Sequence, residues 1–253
     1  MAFDLSSIRR GKTMAPPRIL LYGVHGIGKS TFGAEAPDPV FICTEDGLGT
    51  IDTSSFPLAT SSLDVVAALD TLLTTDHDYK TLVLDSADWL EAILLREVEA
   101  SHSSQDLAYG KGALILATEW RGVLAKLNDV RNERGMAVIL IAHTEIKRFD
   151  SPETEPYDRY RPKLQERSSA LVQEWADCVF FANYKTIVKQ DDVGFNKKVA
   201  RGIGTGERLM YTQESPAYFA KNRYRLPRSL PLSWHEFTTA VTASATPSPE
   251  KPA

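Results

Sequence analysis

One eight-residue run, GVHGIGKS at positions 23–30, constrains the fold of this 253-residue chain more than any other feature. It matches the phosphate-loop pattern G-x-x-x-x-G-K-[ST] at each fixed position. In such a loop backbone amides curl around phosphates, the lysine reaches the β and γ oxygens, and the hydroxyl can ligate Mg²⁺. A glycine turn that fits the pattern by chance is the alternative. The run predicts a site for ATP and Mg²⁺.

The residues around the loop support this interpretation. Residues 18–22 (RILLY) are typical of a short buried strand that enters the loop, and residues 31–36 of the helix that leaves it. The amino-terminal end of that helix attracts anions. The predicted nucleotide-binding residues are Gly23, Val24, His25, Gly26, Ile27, Gly28, Lys29, Ser30 and Thr31.

The rest of the chain alternates apolar runs with helical patterns, which predicts an α/β fold with a mainly parallel central sheet flanked by helices. The predicted hairpin at 186–190 and 197–201 gives this domain a C-terminal β-hairpin extension. The other predicted strands cover residues 39–43, 81–85, 137–142 and 178–183, and the helices cover 62–73, 89–100, 113–134, 168–177 and 233–243. Leu63 is expected on the core side of the helix at 62–73, and Leu114 on the core side of the helix at 113–134.

Length and composition favour a single domain. With 43% hydrophobic residues, the chain can build one sizeable α/β domain over residues 18–243, between an N-terminal arm at 1–17 and a disordered tail at 244–253. The net charge of −4 gives no overall attraction to nucleic acid, so a polyanion site must be local. Residues 179–228 are basic, with ten Lys/Arg against four Asp/Glu.

Cysteine usage and hydropathy indicate the compartment. Cys43 and Cys178 lie in apolar runs, and their spacing does not suggest a metal site, which fits a reducing cytoplasm. The N-terminus lacks the apolar region of a signal peptide, and no stretch has the length of a membrane span. We expect a cytoplasmic protein that does not insert into a membrane.

Three polar residues stand where predicted strands end, at the ligand side of an α/β sheet. Asp85 ends the strand at 81–85 and is the candidate Mg²⁺-side carboxylate, alongside Ser30 as a metal ligand; the alternative is a helix cap. Glu45 follows the strand at 39–43 and is the candidate base that activates water; the alternative is an exposed loop acid. His143 follows the strand at 137–142 and would contact the γ-phosphate; the alternative is a solvent-exposed histidine.

Residues 145–167 show almost no apolar periodicity and mix six basic with six acidic residues, so we expect a long irregular segment. Basic side chains can follow phosphates while aromatic rings stack on bases, which is how single strands are held. A merely solvated loop is the alternative. The candidate DNA-binding residues are Lys147, Arg148, Arg159, Tyr160, Arg161 and Lys163.

A second basic stretch, KNRYRLPR at 221–228, contains no acid. In a monomer it would be a basic surface loop. In a ring or filament, Lys221 or Arg223 could reach the γ-phosphate held by a neighbouring copy, as an arginine finger does. Lys221 and Arg223 are therefore candidate catalytic residues that act in trans, next to Lys29, Glu45, Asp85 and His143.

Several of these motifs resemble the RecA/RadA recombinase core. Phe41-Ile42-Cys43-Thr44-Glu45 and Leu84-Asp85-Ser86 look like its two motifs that carry the water-activating glutamate and the Mg²⁺-side aspartate. Ser86 stands where many AAA-type ATPases place a glutamate, and Lys221-Asn222-Arg223 is similar to the lysine-asparagine-lysine stretch of RecA. RecA has a glutamine in the place of His143.

Residues 16–237 as a whole, including the Tyr109-Gly110-Lys111-Gly112 loop and the Ile141-Ala142-His143 strand end, resemble more closely the phage-encoded AAA-type nucleotide-binding proteins. That group includes core-only, RecA-like single-strand annealing proteins. The resemblance implies a RecA-like P-loop NTPase core in a phage or prophage protein of the bacterial cytoplasm. It also implies a DNA-stimulated ATPase that binds and anneals single-stranded DNA in homologous recombination.

Such a protein would form a ring or filament and hydrolyse ATP at subunit interfaces, and a single-strand binding protein is a candidate partner. Two other classes stay open. A nucleotide-gated binding module that loads a replication protein would hydrolyse ATP slowly or not at all. A small-molecule kinase is disfavoured because no acceptor-site motif or lid with paired arginines is present.

Overall fold

A computed structural model describes Asp4, Ile8 and residues 15–192 and 198–245, of which residues 187–192, 198–203 and 245 are described by their backbone alone. The helices are α1 Lys29–Ala34, α2 Ser62–Thr74, α3 Ala87–Ser101, α4 Ser104–Leu107, α5 Lys111–Arg134, α6 Glu166–Trp175 and α7 Trp234–Ala245. The strands are β1 Arg18–Gly23, β2 Pro39–Cys43, β3 Ser54–Ser55, β4 Thr81–Asp85, β5 Ala137–Phe149, β6 Tyr157–Pro162, β7 Cys178–Asp192, β8 Lys198–Tyr211, β9 Lys221–Asn222 and β10 Ser229–Pro231.

The described strands form one sheet in the order β10-β8-β7-β1-β5-β4-β2-β3. The segment from β7 to β3 is parallel throughout, and β8 and β10 add to it in antiparallel orientation. The predicted α/β class, with a mainly parallel sheet between helices and a C-terminal hairpin, is confirmed. Because the central strands are parallel, their carboxyl ends lie at one edge, and the loop after β1 lies there.

Burial on both faces is found in the central strands β1, β2 and β4 and in the first residues of β5 and β7, as their continuous apolar runs predict. Leu20 and Tyr22 belong to the cluster that packs against α2, α3, α5 and α6, whereas Ile19 and Leu21 face α1 and α7. Successive side chains of β1 therefore enter two cores, one on each face of the sheet. Burial of each large side chain contributes about 1.5–3 kcal/mol of stability.

Helix boundaries follow local sequence signals. Ser61 and Asp64 form a capping box at the start of α2, in which each side chain accepts a hydrogen bond from the other's backbone amide. Helix α5 ends at Gly135, whose φ of 66° is a left-handed conformation that glycine adopts without strain. Two expected core positions are wrong: Leu63 is 76% exposed and Leu114 is 49% exposed, because Val65 and Ala117 lie on the buried sides of these helices instead.

The expectation of an irregular segment at 145–167 is also wrong. Strand β5 continues six residues beyond His143, to Phe149, and β6 pairs with it from Thr144↔Pro162 to Phe149↔Tyr157. This β-ribbon extends from the carboxyl edge of the sheet. The sequence does not reveal this ribbon because its two strands, TEIKRF and YDRYRP, are rich in charged residues and show no regular alternation of apolar and polar positions.

The chain's two ends are described only in part. Of the predicted arm, residues 15–17 are tied to the domain, since Arg131 Nε donates a hydrogen bond to the Pro16 carbonyl and Val138 N donates to Pro17. The other arm residues, except Asp4 and Ile8, and residues 246–253 of the predicted tail lie outside the described residues, as do residues 193–197, which include Val193 and Gly194 of the predicted hairpin turn. None of the described helices has the length and apolarity needed to cross a lipid bilayer.

Candidate nucleotide-binding site

The phosphate loop connects β1 to α1 at the carboxyl edge of the sheet. Gly26 and Gly28 have φ angles of 70° and 107°, which L side chains rarely adopt, so both positions need glycine. Gly23 is required for a different reason: a Cβ there would lie 2.1 Å from the Ala182 carbonyl oxygen of β7. The sequence thus fixes a loop whose backbone curls at the start of a helix, the arrangement that binds phosphates.

Lys29 is the first residue of α1 and is buried. Its Nζ donates hydrogen bonds to the carbonyls of Gly23 and Val24, both at 3.1 Å, so the side chain folds back over the loop. Burial lowers the pKa of Lys29, and the nearby carboxylates of Asp85 and Glu45 oppose that shift. A buried cation next to the backbone amides of the phosphate loop is suited to bind phosphate oxygens.

Ser30 and Asp85 meet across the mouth of the loop. The Ser30 hydroxyl donates a 2.5 Å hydrogen bond to Asp85 Oδ2. Burial raises the pKa of Asp85, the Ser30 hydrogen bond opposes that shift, and Glu45 adds to it. One hydroxyl and one carboxylate are the oxygen ligands that Mg²⁺ takes when phosphates and water complete its coordination, so these residues fit that ion. The described residues hold no cluster of three or more His, Cys, Asp or Glu that could bind a metal alone.

The turn after Asp85 is fixed by Thr44, the residue before Glu45. Thr44 Oγ1 donates to the Ser86 carbonyl at 2.7 Å and accepts from the Ser86 amide at 3.0 Å. The peptide bond between Asp85 and Ser86 is cis. These contacts join the carboxyl ends of β2 and β4, which brings the two carboxylates to one place.

His143 pairs with Gly23 at the end of the β1–β5 ladder and contacts residues from three other elements. Its backbone amide and ring Nδ1 both bond to Asp88 of α3, at 2.9 Å and 3.0 Å. Its Nε2 lies 3.8 Å from Glu45 Oε1, and its ring stacks on His25 of the phosphate loop with centroids 4.3 Å apart. The charge of His143 and burial lower the pKa of His25. The alternative of a solvent-exposed strand-end histidine does not hold, since the side chain of His143 is 12% exposed.

These residues line one cleft of about 520 Å³. The structure therefore brings together the predicted phosphate, metal, base and sensor residues from the phosphate loop, β2, β4 and β5. The residues predicted from sequence that line this cleft are Gly26, Gly28, Lys29, Ser30, Thr31, Glu45, Asp85 and His143.

The predicted DNA-binding residues lie on the β-ribbon or next to it, and three of the six are engaged within the chain. Arg159 bonds to Glu214 at 2.7 Å and to the carbonyls of Ser215 and Tyr218. Tyr160 stacks on Phe181 of the core with centroids 4.9 Å apart. These two side chains hold the ribbon against the domain.

The third engaged residue is Arg161, which pairs with Glu145 at 3.2 Å. The remaining three, Lys147, Arg148 and Lys163, are exposed. Among the described residues, Lys147 and Arg148 form largely exposed ion pairs only with acids two positions away, Glu145 at 3.2 Å and Asp150 at 3.8 Å. Exposed pairs of this kind contribute little and leave the cations accessible.

Lys221 and Arg223 lie far from the cleft of their own chain. Lys221 pairs with Val179 at the start of β7, so both residues are at the amino edge of the sheet. Lys221 Nζ donates to three carbonyls at the end of α6, and Arg223 Nη1 bonds to Asp177 at 3.1 Å. From this edge they could act only on the site of another copy.

Two residues at the site were missed by sequence reasoning. Asp88 orients His143, and its only sequence signal is its position three residues after Asp85. Burial favours a raised pKa for Asp88, but the hydrogen bonds from His143 outweigh it, and the pKa is lowered. Arg208 of β8 lines the cleft beside Gly28 and is separated from the phosphate loop by most of the chain, so no local pattern could reveal it.

One family of known proteins matches most of this chain. The AAA_24 family, described as an AAA domain, matches residues 15–224. A solved structure that is similar is that of the RadB recombinase, with 14% identity, a TM-score of 0.47, and coverage of 88% of this chain and 90% of that one. No curated protein sequence matches significantly. Because the family match spans most of the chain and includes the phosphate loop, Glu45, Asp85 and His143, the chain belongs to the AAA_24 family of AAA domains.

Proposed function

We propose that this protein is an ATPase that binds and anneals single-stranded DNA, in the manner of phage-type recombination proteins. The observation that carries the proposal is the cleft, in which Lys29, Ser30, Asp85, Glu45 and His143 converge from four elements of the sheet edge. ATP is the nucleotide that the phosphate loop and its family favour. Each of these side chains has a separate task in hydrolysis.

Binding of the polyphosphate falls to the loop and Lys29. The amides of Gly26 to Thr31 surround the phosphates, and Lys29 exchanges the carbonyls of Gly23 and Val24 for phosphate oxygens. Ser30 and Asp85 hold Mg²⁺, which neutralises charge on the phosphates when bound. The hydrogen bond from Ser30 to Asp85 keeps both oxygens together before the metal arrives.

Glu45 is the base that orients the attacking water. It lies at the cleft opposite Lys29, and the Nε2 of His143 is 3.8 Å from its carboxylate. Asp88 holds the Nδ1 side of His143, so the Nε2 side stays directed toward Glu45 and the cleft. His143 can thus contact either Glu45 or the terminal phosphate, which links the base to the presence of the γ-phosphate.

Single-stranded DNA would bind at the same edge of the sheet, along the β-ribbon. Lys147, Arg148 and Lys163 supply exposed cations, and Ile146 and Phe149 are 57% and 39% exposed on the ribbon. Two further exposed aromatic rings, Trp89 at the start of α3 and Tyr109 just before α5, lie at this edge. Cations that follow phosphates beside rings that stack on bases favour single strands.

Residues at the opposite edge would complete a neighbouring copy's site. We assign Lys221 and Arg223 to this role because they are too far from their own cleft to reach its nucleotide. A ring or filament of identical chains brings such an edge against the cleft of the next copy. A single-strand binding protein and the bacterial cytoplasm are the partner and compartment that this function favours.

One observation favours a second function, a nucleotide-gated binding module with little hydrolysis. The side chains of Arg159, Tyr160 and Arg161 are engaged within the chain, so half of the predicted DNA contacts are not free to bind phosphates or bases. A module would use ATP to change the ribbon's position and recruit a protein. The enzyme and the module differ in the rate of hydrolysis.

An ATPase assay with and without single-stranded DNA tests the proposal, using Glu45→Gln and, as a matched control, Asp46→Asn. Asp46 lies in the same loop but does not line the cleft. For Glu45→Gln we expect hydrolysis to fall by about a hundredfold or more while ATP affinity is retained, because the amide cannot accept a proton from water. Asp46→Asn should hydrolyse ATP at the wild-type rate.

Annealing of complementary strands by the same samples tests the second half of the proposal. We expect wild-type protein to anneal them faster with ATP than without it. Absence of hydrolysis in wild-type protein, with or without DNA, would leave the module; hydrolysis without any DNA binding would reject the recombination role.

A further inference from the structure

Arg208 occupies a position in the cleft that no part of the hydrolysis scheme uses. It lies on β8, paired with Tyr184 of β7, in the part of the hairpin nearest the sheet. Its Nη1 is 3.2 Å from the point where a Cβ on Gly28 would stand, and its side chain lines the cleft with Lys29 and Ser30. The guanidinium is therefore next to the loop that would hold the phosphates.

The guanidinium of Arg208 has no partner among the described residues. No carboxylate or carbonyl that the structure describes accepts a hydrogen bond from it or forms an ion pair with it. Glu207, the residue before it on β8, pairs instead with Lys185 at 2.7 Å, so that acid is already matched. An arginine fork that meets no acceptor but faces a phosphate site is suited to an anionic ligand.

The position of Arg208 is fixed by the C-terminal segment, which packs on α1. The Arg208 carbonyl accepts a hydrogen bond from Leu232 N at 3.1 Å, and two residues on, Trp234 N donates to Glu35 Oε2 at 2.9 Å. Phe32 of α1 packs edge-on against Trp234 with centroids 5.6 Å apart. The strand that carries Arg208 and the helix that follows the phosphate loop are thus held together.

Charge in the cleft favours the same role. Glu45 and Asp85 are the acids that line it, and Lys29 and Arg208 are the bases. Without Arg208, a polyphosphate would enter a cleft with two carboxylates and one ammonium. With Arg208, the side-chain charges balance, and a second cation meets the phosphates.

We propose that Arg208 binds the polyphosphate of the nucleotide in cis, as a second cation next to Lys29. This role rests on the proposed function, since it needs a nucleotide in the cleft. It also differs from the part given to Lys221 and Arg223, because Arg208 acts within its own chain. Its planar fork can donate to two phosphate oxygens at once, whereas a lysine offers a single point charge.

The test compares Arg208→Ala and Arg208→Lys with the control Arg228→Ala, an exposed arginine of the same C-terminal segment that does not line the cleft. Calorimetry measures the affinity for ATP and ADP, and displacement of a fluorescent nucleotide by inorganic tripolyphosphate isolates the phosphate contacts. We expect Arg208→Ala to weaken all three by about tenfold to a hundredfold, because it removes charge-assisted hydrogen bonds. Arg208→Lys should recover part of the loss, and Arg228→Ala should match wild type.

Thermal melting keeps the test independent of folding, since Arg208 is exposed and its replacement should leave the melting temperature unchanged. Tripolyphosphate binding that is equal in wild type and Arg208→Ala would overturn the role of Arg208 alone, as would an equal loss in Arg228→Ala. Failure of wild-type protein to bind ATP more tightly than Lys29→Ala would instead reject the proposed function and, with it, this role.

Discussion

Both edges of the parallel sheet carry charged residues, but the charged side chains at the two edges have different partners. At the amino edge, Asp177 accepts hydrogen bonds from the amide and guanidinium of Arg18, at 2.9–3.2 Å, and from Arg223 at 3.1 Å. At the carboxyl edge, Glu45 has only a 3.8 Å approach to His143, and Arg208 has no described partner. The amino edge is therefore a closed edge, whose charged groups bond to each other. The carboxyl edge is an open edge, whose charged groups are left for a ligand.

Two lysines, one at each edge, illustrate this difference. Lys29 and Lys221 both point their ammonium groups at backbone carbonyls, of which Lys29 contacts two and Lys221 three. The carbonyls that Lys221 contacts are at the end of α6, where a cation is favourable. The carbonyls near Lys29 belong to the phosphate loop, whose backbone amides can also bind an anion. Residue type and the number of hydrogen bonds therefore do not distinguish a structural lysine from a ligand-binding one. The two differ in whether the polar groups around the lysine lack hydrogen-bond partners.

The largest expected effect comes from Lys29→Ala at the open edge. We expect ATP affinity to fall by about a hundredfold or more, since a buried cation that contacts phosphates is lost. Burial lowers the pKa of Lys29, so a buried ammonium without a phosphate is not favourable for folding. The melting temperature should therefore stay equal to that of wild type or rise. Calorimetric titration with ATP and a thermal melt of the same sample check both parts; a fall in melting temperature would make Lys29 structural.

A smaller, opposite effect is expected for Asp177→Ala at the closed edge. Removal of this buried carboxylate takes away the charged partner of Arg18, whose one remaining side-chain hydrogen bond among the described residues is to Asn128, and should cost about 3 kcal/mol of unfolding free energy. The control Asp76→Ala breaks a pair with Arg134 at 3.8 Å that is fully exposed on the acid side, and it should change the unfolding free energy by less than about 1 kcal/mol. Urea titration measures both, and ATP affinity at low temperature should be unchanged in both.

The pH dependence of stability sharpens the same prediction. Burial alone would raise the pKa of Asp177, but the hydrogen bonds and charge of Arg18 outweigh it and lower the pKa. The carboxylate then contributes stability above its unfolded pKa of about 3.9, and that contribution is lost as the pH falls through the lower folded pKa. Wild-type protein should lose stability more steeply than Asp177→Ala below about pH 4. Parallel curves for the two proteins would contradict the role of Asp177.

The open edge was largely predictable from sequence because its residues follow apolar runs directly. Glu45, Asp85 and His143 each end or follow a buried strand, and a parallel sheet brings such ends together. Asp88 and Arg208 were not predictable, since their place depends on how α3 and the distant hairpin pack. The β-ribbon was missed because charged and aromatic residues on a two-stranded ribbon give no apolar alternation.

The closed edge was not predictable, because Arg18, Asp177 and Arg223 come from three separate parts of the sequence. The local basic pattern of Lys221 and Arg223 and their similarity to a stretch of RecA predict a role in trans. Their bonds to the end of α6 and to Asp177 give the same residues a second, structural explanation. The role in trans and the structural role predict different outcomes for the substitution Lys221→Met.

Lys221→Met should cost about 1 kcal/mol of unfolding free energy, less than Asp177→Ala, because its three hydrogen bonds are partly exposed and methionine keeps the aliphatic stem. If Lys221 also serves a neighbour, this variant binds ATP but hydrolyses it poorly. Mixing it with Lys29→Ala separates the two explanations: each variant lacks a different half of the interface site, and the Lys29→Ala copy can lend its intact Lys221 to the nucleotide bound by Lys221→Met. Hydrolysis that reappears on mixing two inactive variants would show that the closed edge of one copy completes the open edge of the next. If Lys221→Met hydrolyses ATP at the wild-type rate by itself, the amino edge serves stability alone.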